Sequence, residues 1–324
     1  MALDPQIQDI LESVRRAARP AFWQMTPDAA RHAYRRAAPV LEIAPASLGR
    51  IDDFSIRTRT GSSLAVRLYV PAHTSNHDAL VVYFHGGGFT VGDLDTHDRV
   101  CRMLAAGTPC RVLAVDYRLA PEHRFPAAAD DAWEALFWAH GNARRLGADP
   151  HRIAVAGDSA GGTLAAVCAI RARDAGLALR LQVLIYPGTA GYQDSASHQR
   201  LAEGYLLDAP TIQWFFGQYL RDEHDRRDWR FAPLDAEPAP DLGDVATACI
   251  LVAGYDPLHD EGVAYAERLR AAGVRVELRD YEGMVHGFFN FGGAVEVART
   301  AHRDVLKALA AALGLPGERL HGEP

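Results

Sequence analysis

The sequence predicts an α/β fold: a mostly parallel, doubly wound sheet of eight strands, flanked by helices and covered by a helical cap. Three observations carry this expectation. From about residue 80 onward, continuous apolar runs alternate with stretches of helical period, the pattern of strands buried on both faces. One of these runs, Ile153-Ala154-Val155-Ala156, passes directly into Gly157-Asp158-Ser159-Ala160-Gly161-Gly162 and then into a helix-forming stretch over 163–175. A long segment, from 187 to about 243, interrupts the alternation with Tyr192, Tyr205, Trp214, Phe215, Phe216, Tyr219, Trp229 and Phe231. It is too long for an ordinary connection and reads as a helical insertion over one edge of the sheet.

The elements follow in order. Residues 1–46 read as amphipathic helices: Ile7, Ile10, Leu11 and Val14 fall at helical spacing, and Thr26-Pro27-Asp28 is a helix start. Strands are expected over 51–57, 63–70, 80–84, 111–115, 152–156, 181–186, 249–253 and 274–280. Helices centre near residues 103, 135, 168 and 265, and a last one covers about 295 to 313. The expected organisation is N-terminal cap helices over 1–46 and a first part of the core over 47–187. A helical cap insertion over 188–243 and a second part of the core over 244–324 complete it, with a frayed tail over 316–324.

Composition bounds the function. Of 324 residues, 48% are hydrophobic and 23% charged, ordinary values for a soluble globular chain. A net charge of −7 and the lack of any basic block argue against a nucleic-acid partner. Cys101, Cys110, Cys168 and Cys249 form no Cys-x-x-Cys pair, so buried reduced thiols are expected rather than a disulfide framework or a zinc site. The first residues, Met1-Ala2-Leu3-Asp4-Pro5-Gln6, form neither a basic nor an apolar leader, and no run of 18 apolar residues occurs. A cytoplasmic location without stable membrane insertion is the expectation.

The chemistry sits in the loops. A serine on a sharp strand-to-helix turn is held in a strained, exposed conformation. Gly157 and Gly161 suit that turn because a Cβ there would clash. The Ala160 N–H points where a carbonyl oxygen would gain negative charge. Upstream, the apolar strand 80–84 ends in His85-Gly86-Gly87-Gly88-Phe89, whose glycines leave backbone N–H groups open to an oxyanion. This run matches neither Gly-x-Gly-x-x-Gly nor a P-loop. A serine nucleophile needs a base, and the base an acid. Asp256 lies just past the carboxyl end of strand 249–253, where catalytic groups gather in such sheets. His286 lies on the loop after the next strand, at the same edge. Asp260 and Asp280 are rival acids, Asp280 the more serious because the strand is expected to end there. His259, at a helix start, and His302, inside a helical pattern, compete less well with His286.

Five blocks then carry a resemblance. They are His85-Gly86-Gly87-Gly88-Phe89, the run from Asp116-Tyr117-Arg118 to Phe125-Pro126-Ala127, Gly157-Asp158-Ser159-Ala160-Gly161-Gly162, Asp256-Pro257-Leu258-His259-Asp260-Glu261-Gly262 and His286-Gly287-Phe288. In this order the chain, from about residue 60 onward, resembles the bacterial hormone-sensitive-lipase family (family IV) of esterases, in its Gly-Asp-Ser-Ala-Gly subgroup. The resemblance implies an α/β-hydrolase fold and a carboxylesterase of short- to medium-chain esters. It implies Ser159 as nucleophile, His286 as base and Asp256 as its orienter. The oxyanion hole would be Ala160 with two of Gly86, Gly87 and Gly88. No cofactor or metal is implied. The 116–127 block would buttress the oxyanion loop, and His259 stands where Arg is common. Phe22, Trp23, Phe89, Phe215 and Phe216, with Met25 and Tyr219, are candidate pocket walls. The rival readings are an amidase, arylformamidase or deacetylase on the same machinery, and a non-catalytic ligand receptor; the presence of His286 argues against the last. Family members often dimerise, sometimes through the last strand, so a homodimer is an expectation.

Overall fold

The computed structural model describes residues 2–75 and 78–315; the expected frayed tail lies outside them. Eight strands form one sheet: β1 (Arg50–Arg57), β2 (Ser63–Val70), β3 (Asp78–Phe84), β4 (Cys110–Asp116), β5 (Ala148–Asp158), β6 (Leu181–Ile185), β7 (Thr247–Tyr255) and β8 (Val276–Val285). Their spatial order is β1-β2-β4-β3-β5-β6-β7-β8. Only β2 runs against its neighbours; β4, β3, β5, β6, β7 and β8 are mutually parallel. Every residue of β3 and β6 is buried, which is why their sequences are continuous apolar runs rather than alternating ones.

Nine α-helices lie among the described residues. Two precede the sheet. In α1 (Pro5–Ala17) the Asp4 carboxylate caps the Gln6 N–H at 2.8 Å and Ile7 and Leu11 are buried. In α2 (Pro27–Leu41) Thr26 caps Ala29. The core helices are α3 (Asp98–Gly107), α4 (Ala127–Gly141), α5 (Ala160–Asp174), α8 (His259–Ala271) and α9 (Glu296–Leu313). α5 is buried almost throughout, and its alanines and glycines let it lie against both the sheet and α4. Between β6 and β7 the chain forms α6 (Ala196–Arg200) and α7 (Ala209–Tyr219). Among the described residues no helix is long and apolar enough to cross a membrane. All four cysteines are buried and free.

The last strand departs from expectation. β7 and β8 pair evenly from Ala248–Val276 to Ala253–Tyr281, and then Tyr255 pairs with Val285. β8 therefore carries a bulge, which extends it to Val285 instead of ending it at Asp280. Gly254 lies against this bulge, where an added Cβ would collide with the Glu282 carbonyl. The bulge sets where the chain leaves the sheet, one residue before His286. Gly254→Ala is expected to destabilise the fold by about 1–3 kcal/mol, read as a lowered midpoint in urea denaturation.

Candidate active site

Ser159 sits between the end of β5 and the start of α5, with φ 54° and ψ −121°. A non-glycine residue adopts this conformation only where its surroundings hold it there. Here the Ser159 N–H donates to Ile185 C=O at 2.8 Å. An added Cβ at Gly157 would collide with the Gly161 and Phe84 carbonyls, and one at Gly161 with the Phe84 and His85 carbonyls. β3, β5 and α5 thus meet at backbone contact, and the serine hydroxyl is pushed out at the carboxyl edge of the sheet.

Two further elements reach that hydroxyl. Asp256 follows β7 directly and is fully buried. Its Oδ1 accepts the Leu258 N–H at 2.9 Å, which fixes the carboxylate. Its Oδ2 lies 2.6 Å from His286 Nδ1, and His286 Nε2 lies 2.8 Å from Ser159 Oγ. A carboxylate only accepts, so Nδ1 carries the proton and Nε2 is left to accept from the serine O–H. Asp280 is not part of this chain. Within the extended β8 it pairs with His259 Nε2 at 3.0 Å; Asp260 takes His259 Nδ1 at 2.9 Å. Those bonds, Asp280 first, raise His259 to about 9 against the effect of burial. His302 is buried in α9 with its Nε2 2.7 Å from the Phe289 carbonyl, and it has no bond to Ser159 or Asp256.

The glycine loop divides its N–H groups. Gly86 donates to Asp158 Oδ1 at 2.9 Å, so its N–H is occupied and Gly86 drops out of the expected donor set. The N–H groups of Gly87 and Gly88 have no acceptor among the described residues, and both residues line the cavity at Ser159. Their φ values of 118° and 56° turn the loop. The loop is tightly packed: a Cβ at Gly87 would strike Val91 C=O, and one at Gly88 the Phe215 ring. Ala160, in the first turn of α5, has no intrahelical acceptor for its N–H. The 116–127 segment buttresses this loop: Tyr117 O–H donates to His85 C=O at 2.7 Å and Ala120 N–H to Phe89 C=O at 2.8 Å.

A cavity of about 1520 Å³ opens over Ser159 and His286. Phe22, Met25, Phe89, Phe215 and Phe216 line it as expected. Trp23 does not. Phe22–Gln24 is a 3-10 turn, whose successive side chains point about 120° apart, so Phe22 faces in while Trp23 is 44% exposed. Tyr219 is fully buried behind the wall, stacked under Phe89 with ring centroids 4.1 Å apart. Tyr34, Ile212 and Phe231 also line the cavity and carry no sequence motif; Phe231 belongs to the aromatic-rich segment, the one signal that pointed to it.

Behind the loop lies a buried polar cluster. The Asp158 carboxylate accepts Tyr83 O–H at 2.7 Å as well as the Gly86 N–H. Burial opposes its ionisation, but His97 foremost, with Tyr83, holds it down to about 2.

Comparisons with known proteins place the chain in a family. The α/β-hydrolase-fold family profile matches residues 81–290. An ethyl acetate hydrolase from Pseudomonas putida is 41% identical over 322 residues, covering 95% of this chain and 99% of its own. The chain belongs to the hormone-sensitive-lipase family of α/β hydrolases. Esterase LipI from Mycobacterium tuberculosis is 45% identical over 267 residues, 80% of this chain and 81% of its own. Among solved structures, a hyperthermophilic esterase from the archaeon Pyrobaculum calidifontis superposes with a TM-score of 0.89 at 38% identity, covering 96% of this chain and 99% of its own. As a member of this family the chain is a carboxylesterase, a serine ester hydrolase.

Tyr83→Phe should cost about 1.5–3 kcal/mol, the loss of a hydrogen bond to a charged group, in urea denaturation at neutral pH. The folded-state value of Asp158 is depressed, so its anion contributes stability above the ordinary carboxylate range. The Tyr83→Phe deficit should therefore shrink as pH falls toward about 2.

Proposed function

We propose that this chain hydrolyses short- to medium-chain carboxylic esters through Ser159, His286 and Asp256, by way of an acyl-enzyme. The observation that carries the reading is the unbroken hydrogen-bonded chain from Asp256 Oδ2 through His286 to Ser159 Oγ, at 2.6 and 2.8 Å. Ser159 Oγ attacks the ester carbonyl carbon while its proton passes to His286 Nε2. The carbonyl electron pair moves to the oxygen, which the N–H groups of Gly87, Gly88 and Ala160 receive. The tetrahedral intermediate collapses, the C–O bond to the alcohol breaks, and His286 returns the proton to the leaving oxygen. Water then attacks the acyl-enzyme with His286 again as base, releasing the acid and restoring Ser159. Asp256 holds Nδ1 protonated and stabilises the imidazolium in both halves.

The substrate range rests on the cavity wall. Phe22, Phe89, Phe215 and Phe216 offer apolar surface to an acyl or alkyl chain. α1, α2 and the 188–243 segment supply much of that wall, which supports reading 1–46 and 188–243 as a cap over a core of 47–187 and 244–324. The reading includes a cytoplasmic location and a homodimer joined along the open edge of β8, one end of the sheet.

Ser159→Ala should abolish turnover of p-nitrophenyl esters while leaving the thermal midpoint near that of wild type; retained activity would remove Ser159 from the mechanism. Across p-nitrophenyl acetate to palmitate, kcat/KM should peak at short or medium chains. Light scattering should return twice the monomer mass.

A further inference from the structure

A second His–Asp pair lies beneath the oxyanion loop, and the mechanism above does not use it. His97 and Asp158 are both almost wholly buried, and His97 Nε2 stands 3.3 and 3.4 Å from the two Asp158 carboxylate oxygens. Asp158 adjoins Ser159 in the chain and holds the Gly86 N–H. A bare carboxylate at this place would oppose the negative charge that builds on the substrate oxygen a few residues away.

The contacts of His97 on both sides suit a protonated ring. Facing a carboxylate, Nε2 must donate. On the other side, Thr96 Oγ1 accepts the Asp93 N–H at 2.9 Å and lies 3.0 Å from the Asp93 C=O, which can take its one hydrogen. Its remaining contact is His97 Nδ1 at 2.9 Å, where a Thr96 lone pair is placed to accept from a protonated Nδ1. With Nδ1 donating to the Thr96 oxygen and Nε2 to Asp158 the ring is the imidazolium, the state that gives the buried Asp158 carboxylate a counter-charge. We infer that His97 is a buried cation that neutralises Asp158 beneath the oxyanion loop, and so a positioning residue for ester hydrolysis. The inference rests on the functional reading above.

The surroundings agree. The groups facing His97 are Asp158 at the end of β5, Tyr83 on β3, His85 on the glycine loop, Tyr34 and Glu42 from α2 and its C-terminus, and Asp93 on its own loop. Burial disfavours the His97 cation, but Asp158, then Glu42 and Asp93, raise it above its ordinary value. His85, 5.5 Å away ring to ring, is pushed down to about 4 by burial and by His97, so it stays neutral. Arg35 pairs with Asp93 and Arg99 with Glu42, which leaves His97 as the cation beside the Asp158 anion.

The test compares wild type, His97→Gln, Asp158→Asn and the double variant on p-nitrophenyl butyrate. Gln keeps a donor toward Asp158 but not the charge. Asn keeps an oxygen for Gly86 and Tyr83 but removes the anion. His97→Gln should lower kcat about 10- to 100-fold with KM within about twofold. The double variant should recover at least about fivefold of that loss, because no unpaired anion is left. A double variant as slow as His97→Gln, or His97→Gln with wild-type kcat, would overturn the inference while wild-type turnover kept the functional reading intact. Wild type without ester turnover would overturn both. Should His97→Gln fail to fold, Asp158→Asn alone decides: kcat within about tenfold of wild type supports a neutralised pair, and a larger loss overturns it.

Discussion

The site depends on the backbone contact among the ends of β3 and β5 and the first turn of α5. Phe84, Gly157 and Gly161 approach so closely that no Cβ fits between them. This contact puts Ser159 at positive φ with its hydroxyl at the sheet edge, and it leaves the Ala160 N–H unpaired at the helix start. It also brings the glycine loop, which follows Phe84 immediately, to the same place. One steric constraint thus positions the proposed nucleophile and the N–H groups proposed to receive the developing charge. The strain this stores is offset by the surrounding fold, since α5 and β3 are buried along nearly their whole length.

The N-terminal helices are tied into this arrangement rather than laid over it. Arg31 of α2 donates to Thr90 C=O at 2.9 Å and to Ala120 C=O at 2.8 Å, and its guanidinium also meets the Glu122 carboxylate. Arg35 pairs with Asp93 on the same loop. The helix that lines the cavity with Tyr34 therefore also holds the far side of the glycine loop. The cavity wall on α2 and the backbone at Gly87 and Gly88 are mechanically joined. Arg31 is only partly exposed, and its partners include two carbonyls as well as an acid, so it is more than an exposed ion pair.

Much of this was legible in the sequence because it rests on local constraints. Strand–glycine–serine–helix leaves few backbone solutions, and continuous apolar runs identify strands of a parallel sheet wherever they occur. Parts that depend on tertiary accommodation were not legible. The β8 bulge follows from how Gly254 meets Glu282, and without it the strand reads as ending at Asp280. Trp23 sits beside Phe22 in an aromatic pair, and only the 3-10 turn decides which ring faces the cavity. Gly86, Gly87 and Gly88 are identical letters; the Asp158 carboxylate distinguishes the first of them. The role of Asp158 was hidden for the same reason, since its partners come from two other segments, Tyr83 and Gly86 from the end of β3 and its loop, and His97 from the residue before α3.

The central claim is that Ser159 is the atom-bearing nucleophile, activated through His286 and Asp256. The most direct measurement is intact-protein and peptide mass spectrometry after treatment with a p-nitrophenyl phosphonate ester, a mimic of the tetrahedral intermediate. The account predicts one phosphonyl adduct per chain, on the peptide containing Ser159, with stoichiometric release of p-nitrophenol and loss of ester hydrolysis. An adduct at another residue, or full hydrolysis by protein modified at Ser159, would contradict it.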